Sequence, residues 1–478
     1  MSDPYRVLLL ADHKWRDLPG LASIKVRLED QFGISAYVLP FVNFEPAAAT
    51  LKPHMVVLTN MNGVRSLSIA RVAKRMGMLV VVVPSEGRPV SQDLVRFVSG
   101  EFSDLSLVDL WLTWSETTRD FMVDRGLLGP DRVRVAGVAR FDFYVPPLRS
   151  VLMSREAFEA KHGLVPGRPL VSWATNFNLA RHVRTGTLDF LVKDFKDLGV
   201  SRIETLADPV ALARKDLEVR LRTLEVIRCL CSKFREVNFV LKPHPYEDFD
   251  EYETFVARCR GAGLDNIALV TEHYIWDILN SAQIHVHRHC TTGIEAWLMG
   301  IPSINFHLED YGPWSLDMEG PAKDALDGDD LATSAKEIEE RIAFYLGGGR
   351  VSPDRLVARE EHIRRWFYRV DGNSSLRCAE EIANHLKSTR AEPVFSLSFL
   401  SLRGAAKVLL NRLPGRSFDT PIQNGRKFHN GSRVDFLGQV DKLVTRQDVA
   451  FWSDRIRTAL SATDTNRSSL ECGDARSY

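Results

Sequence analysis

The sequence predicts an α/β protein of two Rossmann-like domains facing a cleft, with a helical tail at its C-terminal end. Three observations carry that expectation. Unbroken apolar runs at Val7–Ala11, Met55–Leu58, Met78–Val83 and Leu110–Thr113 have the composition of parallel strands covered on both faces. The stretches between them, Leu21–Phe32 and Ser66–Met76 among them, space their apolar residues as amphipathic helices do, and such alternation is the mark of a βαβ sheet. The pattern then breaks and restarts. Phe141–Arg168 is mixed, holds prolines at 146, 147 and 166, and is followed by a second series.

The first series closes with a short strand at Arg132–Val135 that runs into Gly137. The second opens with a strand at Leu170–Trp173 and a long helix at Asp216–Phe234. Strands at Asn238–Leu241, Ile267–Val270 and Ala282–His287 follow, then a helix from Thr292 to Met299 and a strand at Ser303–Phe306. Asp327–Asp330 lacks the rest of a calcium loop and reads as a turn, and Val351–Lys387 reads as helix, turn, helix around Asp371–Asn373. The expected domains are 1–145, an acceptor domain, 146–390, a nucleotide-donor domain, and a basic amphipathic tail, 391–478, whose last dozen residues are polar and expected to be disordered.

Composition excludes several classes. The chain has 478 residues, 45% hydrophobic and 26% charged, so it is neither disordered nor fibrous, and its length suits two or three domains. Lys+Arg and Asp+Glu both number 62. A neutral total gives no support to a nucleic-acid binder. Six cysteines without a CxxC pair indicate neither a zinc ribbon nor a disulfide framework, so a cytoplasmic protein is expected. The apolar stretch near the N-terminus is too short for a secretion signal, and no run approaches a membrane span.

In open parallel sheets ligands sit at the carboxyl ends of strands, so the loops there are expected to carry the chemistry. Val240–Pro245 ends a strand in Lys242, Pro243, His244 and Pro245. Two prolines stiffen the loop, and a lysine and a histidine held there suit a phosphate or a leaving group; a rigid surface turn is the alternative. At Ile284–Ala296 a strand passes into a helix through Thr291, Thr292 and Gly293. Thr291 or Thr292 is a natural N-cap, and Glu295 stands at capping-box spacing from Thr292. The same helix start could bind phosphate, with Glu295 on ribose hydroxyls. His285, His287 and His289 alternate on one strand face, with Arg288 between them; no acidic or cysteine partner supports a metal site. One or two of these histidines, with Arg288, are expected to face the cleft.

In the first half, Glu86 before Gly87 follows an apolar strand. It could serve as a general base toward an acceptor hydroxyl, or the segment is a plain turn. Asp12, Lys14, Arg16 and Asp17 rim the same end of the sheet. Arg140 could bind an anionic sugar or pair with Asp142, and Asn176, after the first strand of the second series, could touch a donor. The sequence contains no GxxxxGKS, GxSxG or HExxH motif, which removes support for P-loop NTPases, α/β-hydrolases and zincins.

The pair KPHP (242–245) and TTGIEAW (291–297) resembles bacterial surface-carbohydrate and capsule biosynthesis proteins of GT-B architecture. The wider similarity is to capsule Kdo transferases, bacterial sialyltransferases and CDP-glycerol glycerophosphotransferases. GVARFD (137–142), TNF (175–177) and DGNSS (371–375) add to it. The resemblance covers about residues 1–390. It implies His244–Pro245 as the histidine-proline motif, Thr291–Thr292 as the hydroxyl motif at a helix start, and Glu86–Gly87 as the acid-glycine motif holding the base. It further implies sugar transfer from a nucleotide donor, most simply a CMP-sugar, to a glycan or lipid-linked glycan, with no cofactor and no metal. Lys242, His244, Thr291 and Thr292 would hold the departing CMP. The rival readings are a CDP-polyol phosphotransferase, a sugar-nucleotide epimerase and a non-catalytic subunit of a surface-polymer complex. Residues 393–433 carry seven basic residues against one acid; segment 395–416 could lie peripherally on an anionic inner membrane leaflet or pack back across the other domain.

Overall fold

A computed structural model describes residues 5–86, 92–271, 274–309, 311, 321–419 and 443–473. Two six-stranded sheets form, and every ladder in both is parallel. The first contains β1 (Arg6–Ala11), β2 (Ser35–Pro40), β3 (Met55–Leu58), β4 (Leu79–Val82), β5 (Leu110–Thr113) and β6 (Val133–Val135), in the order β2-β1-β3-β4-β5-β6. The second contains β7 (Leu170–Ala174), β8 (Asn238–Lys242), β9 (Ile267–Leu269), β10 (Ile284–His287), β11 (Ser303–Phe306) and β12 (Asp330–Ala332), in the order β12-β11-β10-β7-β8-β9. Helices cover both faces, which is why Val7–Leu10 and Met55–Leu58 are wholly buried.

Two strands lie where the sequence pattern is silent. Both are sheet edges. β2 ends in Pro40, which an edge tolerates because it has no ladder donor to offer there. β12 starts at Asp330, inside the stretch expected to be only a turn; Asp330 accepts from the Tyr345 hydroxyl at 2.6 Å and pairs with Arg355 at 3.0 Å.

The lobes meet over an aromatic junction. Trp276 of the second lobe stacks on Phe143 at 5.1 Å and on Tyr274 at 4.8 Å. The helix Ser374–Ser388 does not stay with the second domain to which the 146–390 boundary assigns it. It crosses back and packs against the helix Lys14–Phe32 of the first lobe. Its start is fixed by Asp142, whose carboxylate accepts from the Ser374 and Ser375 N–H groups at 2.9 and 2.8 Å. Next to this cap, Gly372 (φ +75°) lies so close to the Pro146 carbonyl that a Cβ would approach it to 2.9 Å. Thus the two chain crossings between the lobes touch each other.

The described parts of the tail, 391–419 and 443–473, are structured. Phe395, Phe399 and Leu400 pack onto the first lobe, and the helix Leu402–Leu410 seats on the helix Phe44–Leu51. A last helix, Arg446–Gly473, runs into the stretch expected to be disordered. It straps the junction: Lys14 pairs with Asp448 at 2.8 Å, Arg457 with Asp30 at 3.0 Å, and the Trp452 indole donates to the Tyr274 hydroxyl at 3.0 Å. No helix among the described residues is long and apolar enough to cross a membrane.

Candidate active site

The carboxyl ends of both sheets supply the loops that face each other across the cleft. In the second lobe β10, β7 and β8 are neighbours, so the loops starting at Arg288, Thr175 and Pro243 lie side by side. The loop after β8 is built by a carboxylate that sequence reading missed. Glu247 is buried and accepts from the His244 N–H at 3.0 Å, from the Thr175 hydroxyl at 2.7 Å and from the Tyr252 hydroxyl. Burial pushes its carboxyl up, and these hydrogen bonds, with Arg220 nearby, oppose that. Its only signal in the sequence is a glutamate three residues past His244.

The Tyr246 N–H donates to His244 Nδ1 at 3.2 Å, so the neutral ring carries its proton on Nε2. Burial, then the positive charges of His13, Lys242, Arg16 and Arg181, push His244 down to about 3. Two of those neighbours, His13 and Arg16, belong to the first lobe. The β8 loop and the β1 loop therefore bring their basic groups to one place, an arrangement that favours an anion between them. Lys242 places its ammonium 3.3 Å from the Pro243 carbonyl, and Pro245 is half-buried beside it.

Glu86 joins this locus through Arg16. Arg16 contacts Glu86, pairs with Asp17 at 2.7 Å and lies 3.7 Å from Asp12. Burial works against its charge, but the three carboxylates outweigh it and hold the guanidinium firmly protonated. Asp17 is buried, and its carboxylate accepts from the Asp12 and His13 N–H groups at 2.9 and 2.8 Å. Burial alone would raise Asp17; Arg16 and His13 keep it below the usual range. Asp17 thus shapes the β1 loop and aims Arg16. Glu86 itself is well exposed at the cleft; Gly87 lies outside the described residues.

Behind Arg16 is a small, half-open pocket of about 30 Å³ between the helix Lys14–Phe32 and the ends of β3, β4 and β6. Leu21, Val83 and Val138 form apolar walls, while Thr59, Ser85, Arg16 and Arg140 supply polar groups. Thr59 Oγ1, Ser85 Oγ and Arg140 Nε are buried there without a hydrogen-bond partner among the described residues. A buried polar group costs free energy unless it is paired, so three such groups around one pocket make it a candidate site for a polar ligand. Thr59 had no signal beyond its position after a strand.

The helix start after β10 differs from expectation. Cys290 is the N-cap and makes no side-chain cap. Thr292 instead meets His285 Nε2 at 3.0 Å, with Ser172 on the other ring nitrogen at 2.9 Å. The capping box is not formed, because Glu295 turns away to Arg140, 3.2 Å distant across the lobe boundary. Burial pushes Glu295 up, and Arg140 and the Tyr144 hydroxyl oppose it. Arg140 therefore does not pair with Asp142, which is occupied by the Ser374 cap. Thr291, half-buried at the first helical turn, is the hydroxyl left near the cleft.

His285 and His287 do share a strand face, but they are fully buried beneath this helix with rings stacked at 5.7 Å. His287 Nε2 lies 3.2 Å from Asp329, and Gly293 leaves just enough room for the ring. Arg288 is anchored rather than free to meet a donor: it donates to Asp216 and to the Asn176 carbonyl, both at 2.8 Å, and lies over Phe177 at 4.4 Å. The Asn176 amide returns a bond to the Arg288 carbonyl at 3.2 Å. Arg288 and Asn176 are thus brought together, as braces for adjacent loops.

No family model and no curated protein matches the sequence. Solved structures do match the fold. One is S. aureus MnaA in a co-structure with UDP, at a TM-score of 0.51 and 12% identity over 82% of this chain and 100% of that one. Another is a UDP-GlcNAc 2-epimerase from Neisseria meningitidis bound to UDP-GlcNAc, at 0.51 and 12% over 80% and 100%. A third is the wall teichoic acid polymerase TagF soaked with CDPG, at 0.50 and 10% over 80% and 89%. With its two parallel six-stranded sheets and helices on both faces, this chain has the GT-B-like, two-Rossmann-domain fold of those structures.

Proposed function

We propose that the protein is a glycosyltransferase of bacterial surface-polysaccharide biosynthesis. It would move a CMP-activated acidic sugar, of Kdo or sialic type, onto a glycan acceptor without a metal ion. The observation that carries this reading is the meeting of His13 and Arg16 with Lys242 and His244 across the cleft, beside a pocket with three unpaired polar groups. An acceptor sugar at the mouth of that pocket would turn one hydroxyl toward Glu86. Its oxygen attacks the anomeric carbon while the bond from that carbon to the phosphate oxygen breaks. The hydroxyl proton passes to Glu86, and the electron pair leaves on CMP. The growing phosphate charge is met by Lys242, by the Nε2–H of His244, and by the Thr291 hydroxyl and first amides of its helix. Neutral His244 can fill this role, because its Nε2–H donates without the ring first gaining a proton.

The resemblance to sialyl and Kdo transferases supports the cytidine donor. Two other readings have an observation each: epimerases share the fold, and so does TagF soaked with CDPG. A thermal-shift panel of CMP, CDP, UDP, GDP and ADP, with EDTA or magnesium, separates them. A ligand at 100 times its dissociation constant adds ~2.7 kcal/mol. Stabilisation by CMP, indifferent to EDTA, is expected. A UDP preference, with UDP-sugar converted when no acceptor is present, favours the epimerase. A phosphodiester in the product, by mass spectrometry, favours polyol-phosphate transfer. Glu86→Gln and His244→Ala should each lose transfer while still folding; near-native rates in both would refute the assignment.

A further inference from the structure

The helix Leu402–Leu410 is amphipathic the wrong way round for a helix that only packs. Its inner face is Gly404, Lys407 and Val408; Gly404 and Val408 are buried, and Lys407 bonds the Val42 carbonyl at 3.2 Å and Glu45 at 3.0 Å. Its outer face is apolar. At about 100° per residue, Leu402, Ala406 and Leu409 share one stripe with Leu410 beside it, and Leu413 extends the stripe past the helix end. Leu402 is 93% exposed, and Leu409, Leu410 and Leu413 are each at least half exposed. Apolar surface gathered in this way is unfavourable in water and marks an interaction site.

The charges around it say what covers it. Arg403, Arg412 and Arg416 are exposed beside the leucines and form no ion pair among the described residues. Between 393 and 419 the single acid is Asp419, and it is tied to Arg446 at 2.6 Å. An apolar stripe with a cationic border fits the boundary between anionic headgroups and acyl chains. The helix sits on residues just beyond the carboxyl end of β2, the same end of the first sheet that bears the cleft. We propose that Leu402, Leu409, Leu410 and Leu413, with Arg403, Arg412 and Arg416, dock the first lobe on an anionic phospholipid bilayer with its cleft side toward the lipid. This holds whatever reaction the cleft performs.

The test is co-sedimentation of the full chain with phosphatidylcholine vesicles, with and without phosphatidylglycerol. Sedimentation with the anionic vesicles, weakened by salt, is expected. Leu402→Asp with Leu409→Asp should cut partitioning at least tenfold. Replacing Arg403, Arg412 and Arg416 by Gln should cut it about fivefold per arginine, on the order of a hundredfold for all three. All these side chains face solvent, so unfolding midpoints should stay unchanged, and the Gln variant alone suffices if the Asp variant fails to fold. Equal behaviour with both vesicle types, or unaltered binding by the variants, would overturn the proposal. So would sedimentation-equilibrium evidence that the leucines instead hold two copies of the chain together.

Discussion

Gly293→Ala tests how the helix after β10 is seated. Helix propensity alone favours the change, since Ala in a helix is worth about 1 kcal/mol over Gly. Packing predicts the opposite. A Cβ on Gly293 would lie 2.3 Å from His287 Nε2 and 2.5 Å from Cε1. The ring cannot easily yield, being fully buried, stacked on His285 and held near Asp329. Overpacking of this kind costs about 1–3 kcal/mol, so the net change should be destabilising, and it should push the helix and Thr291 away from β10. The assay is equilibrium urea unfolding of wild type, Gly293→Ala, His287→Ala and the double variant. His287→Ala is destabilising by itself, because it opens a cavity and strips Asp329 of its neighbour. On that background Gly293→Ala should become neutral or slightly stabilising, giving a coupling energy of about 1–3 kcal/mol. A Gly293→Ala protein as stable as wild type, or the same effect of Gly293→Ala with and without the His287 ring, would refute the packing argument.

Other outcomes follow from the same geometry. Arg140→Ala should destabilise the protein by up to about 3–5 kcal/mol, because it leaves the Glu295 carboxyl buried without its partner, and Glu295→Gln in the same chain should recover part of that in urea melts. Asp142→Ala removes two bonds from the start of the helix Ser374–Ser388. It should cost about 1–2 kcal/mol and speed amide exchange in that helix first. His182 is buried and pushed down to about 4, by burial first and then by Arg181. Folded His182 thus stays neutral while the unfolded chain takes up a proton below about 6.5. Its contribution is present above pH 6.5 and is lost as pH falls toward 4, up to about 3 kcal/mol. His182→Asn should flatten stability across that window in urea titrations, and an unchanged slope would refute the assignment.

Much of the fold was legible because buried parallel strands write themselves as unbroken apolar runs. The exceptions are instructive. β2 and β12 are edges, where burial is partial and residues such as Pro40 and Asp330 are admitted. In the site, Lys242, His244 and Arg16 were legible because a strand end, a stiff loop and a charge sit within a few residues. Glu247 was not, since its partners Thr175 and Tyr252 come from other elements and a glutamate after a turn looks solvated. The partner of Arg140 was equally hidden: Asp142 is close in sequence, Glu295 is close in space. Thr292 and Arg288 kept their motif but spend their polar atoms on His285 and Asp216.

The contact of Gly372 with Pro146, beside the Asp142 cap, has a mechanical consequence. Among the described residues, the passage that follows Phe141 and the one that leads into Ser374 meet at this one place. Relative motion about this place would be a swing, like the covers of a book about its spine, with the last helix strapped across it. Displacement grows with distance from the spine. Arg140, two residues from Asp142, lies with Glu295 close to the spine, where a swing would move it least; loops farther out would move most. A ligand bridging those outer loops would read as the clasp.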